Sequence, residues 1–203
     1  MLQVAQIIQQ THVDGPGRRA ALFLQGCSIR CRGCQNRHLW PADGGQAVPV
    51  SDLASRLIAT GLPLTVSGGE PFDQAEALAR LLRLLRAAGR HVVVYSGHTF
   101  EHLRENPATR EALGLADVLV DGPYVADLDH AQLQYRGSAN QRVIDLPTTL
   151  QSGAVVTLDW DTPELILTSS GDILGAESVV EKFLELGPAG DARRCGQTER
   201  ESR

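Results

Sequence analysis

The sequence has little basic charge and no long apolar run. Its 203 residues hold 24 acidic side chains against 19 Lys and Arg, a net charge of −5, and Lys182 is the only lysine. This balance argues against nucleic acid as the main partner. No apolar run approaches the roughly 20 residues that span a membrane. Residues 1–6 lack the basic stretch and cleavage site of a signal peptide, so we expect a cytoplasmic protein with reduced thiols.

Cysteine is also scarce, but three of the four cysteines lie in one short segment. Cys27, Cys31 and Cys34 form a CxxxCxxC pattern directly after the apolar run 20–24. Three thiolates can hold a 4Fe–4S cluster and leave one iron open to a non-protein ligand. An open coordination position distinguishes a reactive metal site from a structural one. The segment therefore predicts a cluster that brings a small molecule onto iron, whereas Cys195 in the polar tail is expected to take no part.

Two other interpretations of the cysteine segment stay open. His38 lies four residues beyond Cys34 and could complete a zinc site of three cysteines and one histidine. The three cysteine positions also share one face of a helix, so simple burial of the thiols is a third interpretation. Gly26 and Gly33 favour a loop over a helix at this point. The pattern alone therefore favours iron–sulfur over zinc and over unliganded thiols.

A second motif follows another apolar segment. Residues 64–67 predict a short buried strand, and this strand runs into Gly68, Gly69 and Glu70. Two glycines at the end of a strand let the backbone approach a ligand closely, and the Glu70 carboxylate suits an ammonium group. Ligands of α/β folds bind at the carboxyl ends of the strands. The alternative is an ordinary strand-to-helix turn, because Pro71 is a favourable first helix residue.

Apolar runs alternate with helical patterns along the chain. The uniformly apolar centres predict strands buried on both faces of a parallel sheet, linked by right-handed crossovers. The predicted strands are 20–24, 64–67, 91–95, 118–120 and 142–146, and the predicted helices are 51–60 and 73–88. These strands are too few for a closed eight-stranded barrel. The predicted fold is therefore α/β, a partial (open) parallel β/α barrel.

Three regions are predicted along the chain. Residues 1–150 form the core domain, residues 151–187 a C-terminal extension packed on the core, and residues 188–203 a disordered tail. Within the extension, two apolar stretches between 164 and 174 predict a hairpin, and residues 178–186 predict a short helix. Proline, glycine and alternating charges predict disorder in the tail.

The two motifs together resemble the radical S-adenosylmethionine family, of which CxxxCxxC and Gly-Gly-Glu are the signature. The resemblance covers residues 5–146 in matching order and implies the same partial barrel. It is closest to the activating enzymes of glycyl-radical proteins, and within them to the activators of anaerobic ribonucleotide reductase. Further segments that carry the resemblance are 13–18, 22–27, 34–36, 40, 95–98, 118–124 and 136–141.

The resemblance implies roles for the residues of the cysteine segment. Cys27, Cys31 and Cys34 would hold the 4Fe–4S cluster and transfer its electron. The open iron would take the amino and carboxylate groups of S-adenosylmethionine. Gly33 and Gln35 flank the last ligand and would pass the adenosyl end of that molecule.

The resemblance also implies roles for residues outside the cysteine segment. Gly68 and Gly69 would meet the methionyl part of S-adenosylmethionine, with Glu70 near its ammonium group. Two further expectations rest on position in the chain. Ser96 ends a predicted strand on the same rim as Glu70 and is expected to contact the ribose. Asp14 precedes the strand before the cysteines and is expected to face the glycine loop of a partner protein; its alternative is a turn residue that bonds local backbone.

The implied function is activation of a glycyl-radical enzyme. One electron from the cluster would cleave S-adenosylmethionine, and the resulting radical would take a hydrogen from a glycine of the partner, with anaerobic ribonucleotide reductase as the first candidate. The electron donor would be a flavodoxin or a ferredoxin. Two alternatives remain: a related enzyme that acts on another glycyl-radical enzyme or a peptide, and a non-enzymatic zinc-binding interaction module.

Overall fold

The computed structural model describes residues 1–161 and the backbone of two short strands beyond them. The strands of the main sheet are β1 (Leu2–Thr11), β2 (Arg19–Leu24), β3 (Gln46–Val48), β4 (Leu64–Gly68), β5 (Val92–Tyr95), β6 (Val118–Asp121) and β7 (Arg142–Asp145). The α-helices are α1 (Val50–Ala59), α2 (Ala75–Ala87), α3 (Phe100–Glu105), α4 (Pro107–Leu113) and α5 (Leu146–Ser152). The five predicted strands and both predicted helices are confirmed, with ends shifted by one or two residues.

The strands form one mixed sheet in the order β3-β1-β2-β4-β5-β6-β7. The four central strands β2, β4, β5 and β6 run parallel, and β1, β3 and β7 pair antiparallel to their neighbours. The predicted α/β class with a mostly parallel sheet is confirmed. Among the described residues, no pairing joins β3 to β7, so the sheet is open. The outer edge of β7 exchanges backbone hydrogen bonds with residues 156–158. A barrel-like curvature stays a prediction.

The prediction that the last strand of the core is parallel was wrong, because β7 runs antiparallel to β6. The connection between them, residues 122–141, contains only one 3-10 turn, Ala126–Leu128, and no crossover helix. Antiparallel neighbours need no crossover, since the second strand starts at the edge where the first one ends. The segment 122–141 therefore stays at the carboxyl edge of the parallel strands.

Strand β1 was not predicted. Its sequence is rich in glutamine, and in its first half only Leu2 and Val4 are buried. The strand is held partly by side-chain amides: Gln74 accepts a hydrogen bond of 2.7 Å from the backbone N–H of Gln3. The side chain of Gln74 also donates to the carbonyl of Gln3 at 3.2 Å. These contacts link β1 to the turn that precedes α2.

Both faces of the sheet are buried, as the apolar runs predicted. Successive side chains point to opposite faces of a strand. One face packs against α1 and α2 and carries Leu22, Leu64, Val66, Val94 and Leu119. The other face, which we call the inner face, carries an apolar cluster of Val93, Val118, Val120 and Val143, with Tyr95 and Trp160 packed against it.

The chain divides after Asp161 into two units, Met1–Asp161 and Thr162–Arg203. In the second unit, β8 (Leu165–Leu167) and β9 (Ile173–Gly175) pair antiparallel, which confirms the predicted hairpin. The predicted helix at 178–186 and the predicted tail at 188–203 lie outside the described residues. Of the helices in the described part of the chain, none has the length and apolarity to cross a bilayer.

Candidate active site

One cavity of about 210 Å³ lies at the carboxyl ends of β2, β4 and β5. The segment 122–141 contributes part of its wall. Predicted site residues that line the cavity are Cys27, Cys31, Cys34, Gln35, Gly68, Gly69 and Ser96. The structure therefore brings both sequence motifs to one place, although they lie more than 30 residues apart along the chain.

The cysteine segment is an irregular loop, so the interpretation of a buried helix face was wrong. Its first cysteine is fixed by a backbone hydrogen bond of 3.1 Å from Cys27 N–H to the carbonyl of Trp40. Arg30 adopts a left-handed backbone with φ of 55°, which turns the loop between the first two cysteines. The Asn36 N–H donates to the sulfur of Cys34 at 3.3 Å. Hydrogen bonds of this kind tune the potentials of iron–sulfur clusters.

The geometry fits a cluster better than a single zinc ion. Within the part of the chain that the structure describes, no three His, Cys, Asp or Glu side chains converge as one ion requires. His38 is exposed, while the three thiols are free and line the cavity wall. In a 4Fe–4S cluster each thiolate binds a different iron, so the sulfurs need not meet at one point. Burial raises the pKa of the Cys27 thiol, and a bound metal would reverse that effect.

Gly68 and Gly69 are required by the close approach of two strand ends. A Cβ on Gly68 would lie 2.3 Å from the backbone nitrogen of Leu24, and one on Gly69 would lie 2.0 Å from the carbonyl oxygen of Gly26. The Gly69 N–H donates to the Leu24 carbonyl at 2.8 Å. The two glycines thus let the chain that leads into the cysteine loop pack directly against the end of β4. Contact of Gly68 and Gly69 with a ligand stays a prediction.

Glu70 is completely buried and does not line the cavity. Its carboxylate accepts hydrogen bonds from the Phe72 N–H (3.0 Å), the Ser96 hydroxyl (3.0 Å) and the Gly97 N–H (2.8 Å). Burial raises its pKa to about 7, although these donors oppose the shift. Glu70 also precedes the 3-10 helix Pro71–Gln74 as its cap, which confirms the helix-start turn. Contact with an ammonium group stays a prediction.

Two other predicted residues, Gly33 and Asp14, do not line the cavity. Gly33 has a φ of 85°, and a Cβ there would lie 3.0 Å from the Cβ of Ala126. Asp14 accepts a hydrogen bond of 2.7 Å from the Thr11 hydroxyl, and its carbonyl accepts one of 2.7 Å from Thr65. Asp14 therefore makes local turn contacts, and its predicted role toward a partner stays a prediction.

Sequence reasoning included the cavity residues of the segment 122–141 in the stretches 118–124 and 136–141 that carry the family resemblance, but did not predict any of them as a site residue. Gly122, Tyr124, Gly137 and Gln141 line the cavity. The Gln141 side chain bridges the segment, because it donates to the Gly122 carbonyl at 3.0 Å and accepts from the Gly137 N–H at 2.7 Å. The polar stretch 136–141 before β7 was the signal that the sequence offered for these residues. Whether this stretch lies at the cavity depends on the direction of β7, which the sequence does not show.

Arg19, at the start of β2, was also not singled out. Only 1% of the residue is exposed, and its Nε and Nη1 have no hydrogen-bond partner among the described residues. Burial lowers the pKa of its guanidinium, while Tyr95, Tyr135 and Asp14 oppose that shift. An orphaned buried donor is rare, but Arg19 does not line the cavity. One arginine before an apolar run offers no pattern from which to predict this burial.

Comparison with known proteins agrees with the iron–sulfur interpretation. Residues 13–144 match the family model of the 4Fe-4S single cluster domain. The chain is 35% identical over 143 residues to the anaerobic ribonucleoside-triphosphate reductase-activating protein of Escherichia coli K12, covering 64% of this chain and 90% of that protein. It is 35% identical over 139 residues to the protein of the same name from phage T4, covering 64% and 86%.

A third relative carries a different name. The pyruvate formate-lyase 1-activating enzyme of Escherichia coli K12 is 34% identical over 141 residues, which cover 66% of this chain and 56% of that enzyme. Both kinds of relative are activating enzymes of glycyl-radical proteins. This chain belongs to the glycyl-radical activase family. The activase is thus an iron–sulfur enzyme of the radical S-adenosylmethionine type, which favours the enzyme over the zinc-binding interaction module.

Proposed function

We propose that the activase cleaves S-adenosylmethionine reductively at a 4Fe–4S cluster and generates a glycyl radical on a partner enzyme. The first candidate partner is an anaerobic ribonucleoside-triphosphate reductase. Two relatives are activating proteins of that enzyme, and the match to this chain covers 90% of one and 86% of the other. The observation that carries the proposal is that one cavity is lined by the three thiols, by both glycines of the Gly-Gly-Glu motif and by Ser96.

Cys27, Cys31 and Cys34 would hold the cluster, which when bound supplies the electron that breaks the sulfonium bond of S-adenosylmethionine. The chain itself supplies a pre-formed wall around the reacting molecule. Ser96 has its hydroxyl oriented by two hydrogen bonds of 3.0 Å, one to Glu70 and one from the His98 N–H. A hydroxyl held in this way is ready to accept a further bond from a ligand such as a ribose.

Exclusion of water is the second contribution of the protein. Radical chemistry requires a closed site, because side reactions consume the reactive species. Tyr95 and Tyr124 line the cavity with aromatic surface. The hydroxyl of Tyr95 donates to the carbonyl of Tyr135, which links this aromatic surface to the segment 122–141.

The charge around the cysteine loop supports an acidic electron donor such as a flavodoxin or a ferredoxin. Residues 26–42 contain Arg30, Arg32 and Arg37 and no acidic residue, whereas the chain as a whole carries a net charge of −5. All three arginines are exposed. Complementary charge of this kind increases the rate of association between partner proteins.

A second candidate keeps the chemistry and changes the partner. The 34% identity to a pyruvate formate-lyase activating enzyme supports another glycyl-radical enzyme as the target, and a peptide substrate is the related alternative. The two candidates share the cavity and differ only in the protein that must reach it.

Anaerobic reconstitution tests the cluster and its chemistry. We expect about four irons and four sulfides per chain, and 5′-deoxyadenosine after reduction in the presence of S-adenosylmethionine. Alanine in place of Cys27, Cys31 or Cys34 should abolish both signals, whereas Cys195→Ala is the matched control and should retain them. Zinc without iron after anaerobic purification would refute the proposal.

A further inference from the structure

The ring of Tyr124 fills a gap between two glycines in the wall of the cavity. Tyr124 follows the end of β6 and lines the cavity together with the three thiols. A Cβ on Gly33 would lie 3.5 Å from the Cε1 of this ring, and a Cβ on Gly137 would lie 2.9 Å from its Cδ2. These two atoms belong to opposite edges of the ring. The ring therefore occupies space that side chains at the two glycines would need.

Tyr124 stands at the point of the wall for which the sequence favoured Gly33. Gly33 directly precedes the third cysteine, and the resemblance implied that it passes the adenosyl end of S-adenosylmethionine. In the structure Gly33 does not line the cavity, and the direction of its missing side chain leads to Ala126 and Tyr124. At this point the cavity wall is formed by the tyrosine ring rather than by the glycine.

The hydroxyl of Tyr124 is already engaged at the protein surface. It donates to the carboxylate of Asp129 at 2.9 Å. The Asp129 N–H donates in turn to the carbonyl of Ala126 at 3.2 Å, so the acceptor is fixed by the 3-10 turn of the same segment. Asp129 is exposed, whereas Tyr124 is half-buried. The part of Tyr124 that remains for a ligand in the cavity is its aromatic ring.

The residues along the rim follow the order of the parts of S-adenosylmethionine. The sheet order places the ends of β4, β5 and β6 side by side, and neighbouring strands lie about 4.8 Å apart. These ends lead to Gly68 and Gly69, then to Ser96, then to Tyr124. With the methionyl part at the glycines and the ribose at Ser96, the end of β6 is left for the adenine. A purine is a flat aromatic group that stacks on aromatic side chains.

We propose that Tyr124 binds the adenine ring of S-adenosylmethionine by aromatic packing and so makes the cavity selective for adenosyl ligands. The inference rests on the proposed function and adds a base-binding residue to the same site. The other two aromatic residues of the cavity wall are Tyr95, within β5, and Trp40, which follows the cysteine loop. Neither lies beyond Ser96 in the order of the strand ends. Because the two glycines and the bonded hydroxyl hold the Tyr124 ring, little entropy is lost in ordering it on binding.

Calorimetric titration of the reconstituted enzyme with S-adenosylmethionine measures what the ring contributes. The Kd should rise about tenfold in Tyr124→Ala, within the range that base stacking shows on alanine substitution. Tyr124→Phe keeps the ring and should stay near the wild-type Kd. Leu128→Ala, an exposed side chain of the same segment, is the matched control and should bind as wild type does. An unchanged Kd in Tyr124→Ala, or equal weakening in Tyr124→Phe, would overturn the proposal.

Photoaffinity labelling locates the base directly and needs only the wild-type protein. The probe is an S-adenosylmethionine derivative with an azide on its adenine ring. After irradiation the label should appear on the peptide that contains Tyr124, and an excess of S-adenosylmethionine should suppress it. This readout decides the proposal even where Tyr124→Ala fails to retain iron. Label confined to Trp40 or to the ends of other strands would place the adenine elsewhere and overturn the proposal.

Failure of this inference and failure of the proposed function give different results. Wild type that neither binds nor cleaves S-adenosylmethionine would refute the proposed function. Wild type that binds and cleaves it, with the label away from Tyr124 or with an unchanged Kd in Tyr124→Ala, would refute the role of Tyr124 alone.

Discussion

The carboxylate of Glu70 accepts a hydrogen bond of 3.0 Å from the hydroxyl of Ser96, which joins the turn after β4 to the residue that follows β5. Ser96 lines the cavity and Glu70 lies buried behind it. The acidic residue of the Gly-Gly-Glu motif thus fixes the neighbouring strand end. Its ionisation is expected to affect both the stability of the fold and the shape of the cavity wall.

Glu70 should make stability depend on pH near neutrality. Burial raises its pKa from 4.5 to about 7, so between these values the folded state retains a proton that the unfolded state releases. The stabilisation is complete below pH 4.5 and is lost as the pH rises through 7. Relative to Glu70→Gln, wild type should lose up to about 3 kcal/mol of unfolding free energy across this window.

Urea unfolding at pH 4.5–8 measures the unfolding free energy of both proteins. The test is how the difference between them changes with pH, and not its value at any one pH. Glutamine keeps an acceptor for Ser96 but presents an amide to the Gly97 N–H, which adds a constant penalty. Glu76→Gln, an exposed carboxylate on α2, is the matched control and should show no such slope. Parallel stability curves for wild type and Glu70→Gln would contradict the buried, titrating carboxylate.

Asp73 should retain the cluster by holding the cysteine loop. Its carboxylate accepts two hydrogen bonds of 2.7 Å from Ser28, one from the backbone N–H and one from the hydroxyl. Bonds to a charged group contribute about 1.5–3 kcal/mol, and exposure places this pair at the low end. We expect Asp73→Ala to release iron to a chelator roughly tenfold faster than wild type.

The release rate is measured under anaerobic conditions as the decay of the cluster's visible absorbance after the chelator is added. Asp73→Asn keeps one acceptor and should fall between wild type and Asp73→Ala. Glu76→Ala, on the neighbouring helix, is the control and should behave as wild type. Identical release rates for all four proteins would show that retention of the cluster does not depend on the contact between Asp73 and Ser28.

Gly69 should tolerate no side chain. A Cβ there would lie 2.0 Å from the Gly26 carbonyl oxygen, a backbone atom that cannot move without displacing the cysteine loop. We expect Gly69→Ala to destabilise the fold by about 3 kcal/mol, at the upper end of overpacking effects, and to lose the cluster. Thermal unfolding and iron content measure the two effects.

The matched control for this change is Gly114→Ala. Gly114 has an ordinary helical backbone with φ of −67°, and its nearest neighbour would lie 3.5 Å from the new Cβ. That substitution should stabilise the protein by about 0.4–1 kcal/mol through the unfolded state. Wild-type stability in Gly69→Ala would contradict the close approach of the two strand ends.

Local patterns in the sequence were sufficient to predict that the cysteine segment and the Gly-Gly-Glu motif meet at one edge of the sheet. The three cysteines and the Gly-Gly-Glu motif each follow an apolar strand, and parallel strands place their carboxyl ends at one edge. The α/β class followed from the same alternation of strands and helices. These features depend on neighbours within a few residues along the chain, which a sequence displays directly.

The remainder depends on contacts between distant residues. The direction of β7 is decided by its pairing with β6 across the segment 122–141, and no local propensity encodes it. The burial of Glu70 depends on donors from Ser96 and Gly97, which lie 26 and 27 residues later. The contact between Arg136 and Asp161 spans 25 residues.

The most direct test of the activase function is electron paramagnetic resonance of the partner reductase after anaerobic reduction with the activase and S-adenosylmethionine. We predict the doublet of a backbone glycyl radical on the reductase, and its collapse to a singlet when the glycine carries deuterium at Cα. The deuterium should appear in 5′-deoxyadenosine. S-adenosylmethionine cleavage with no glycyl signal on the reductase, or on a pyruvate formate-lyase offered in its place, would contradict the function proposed for this chain.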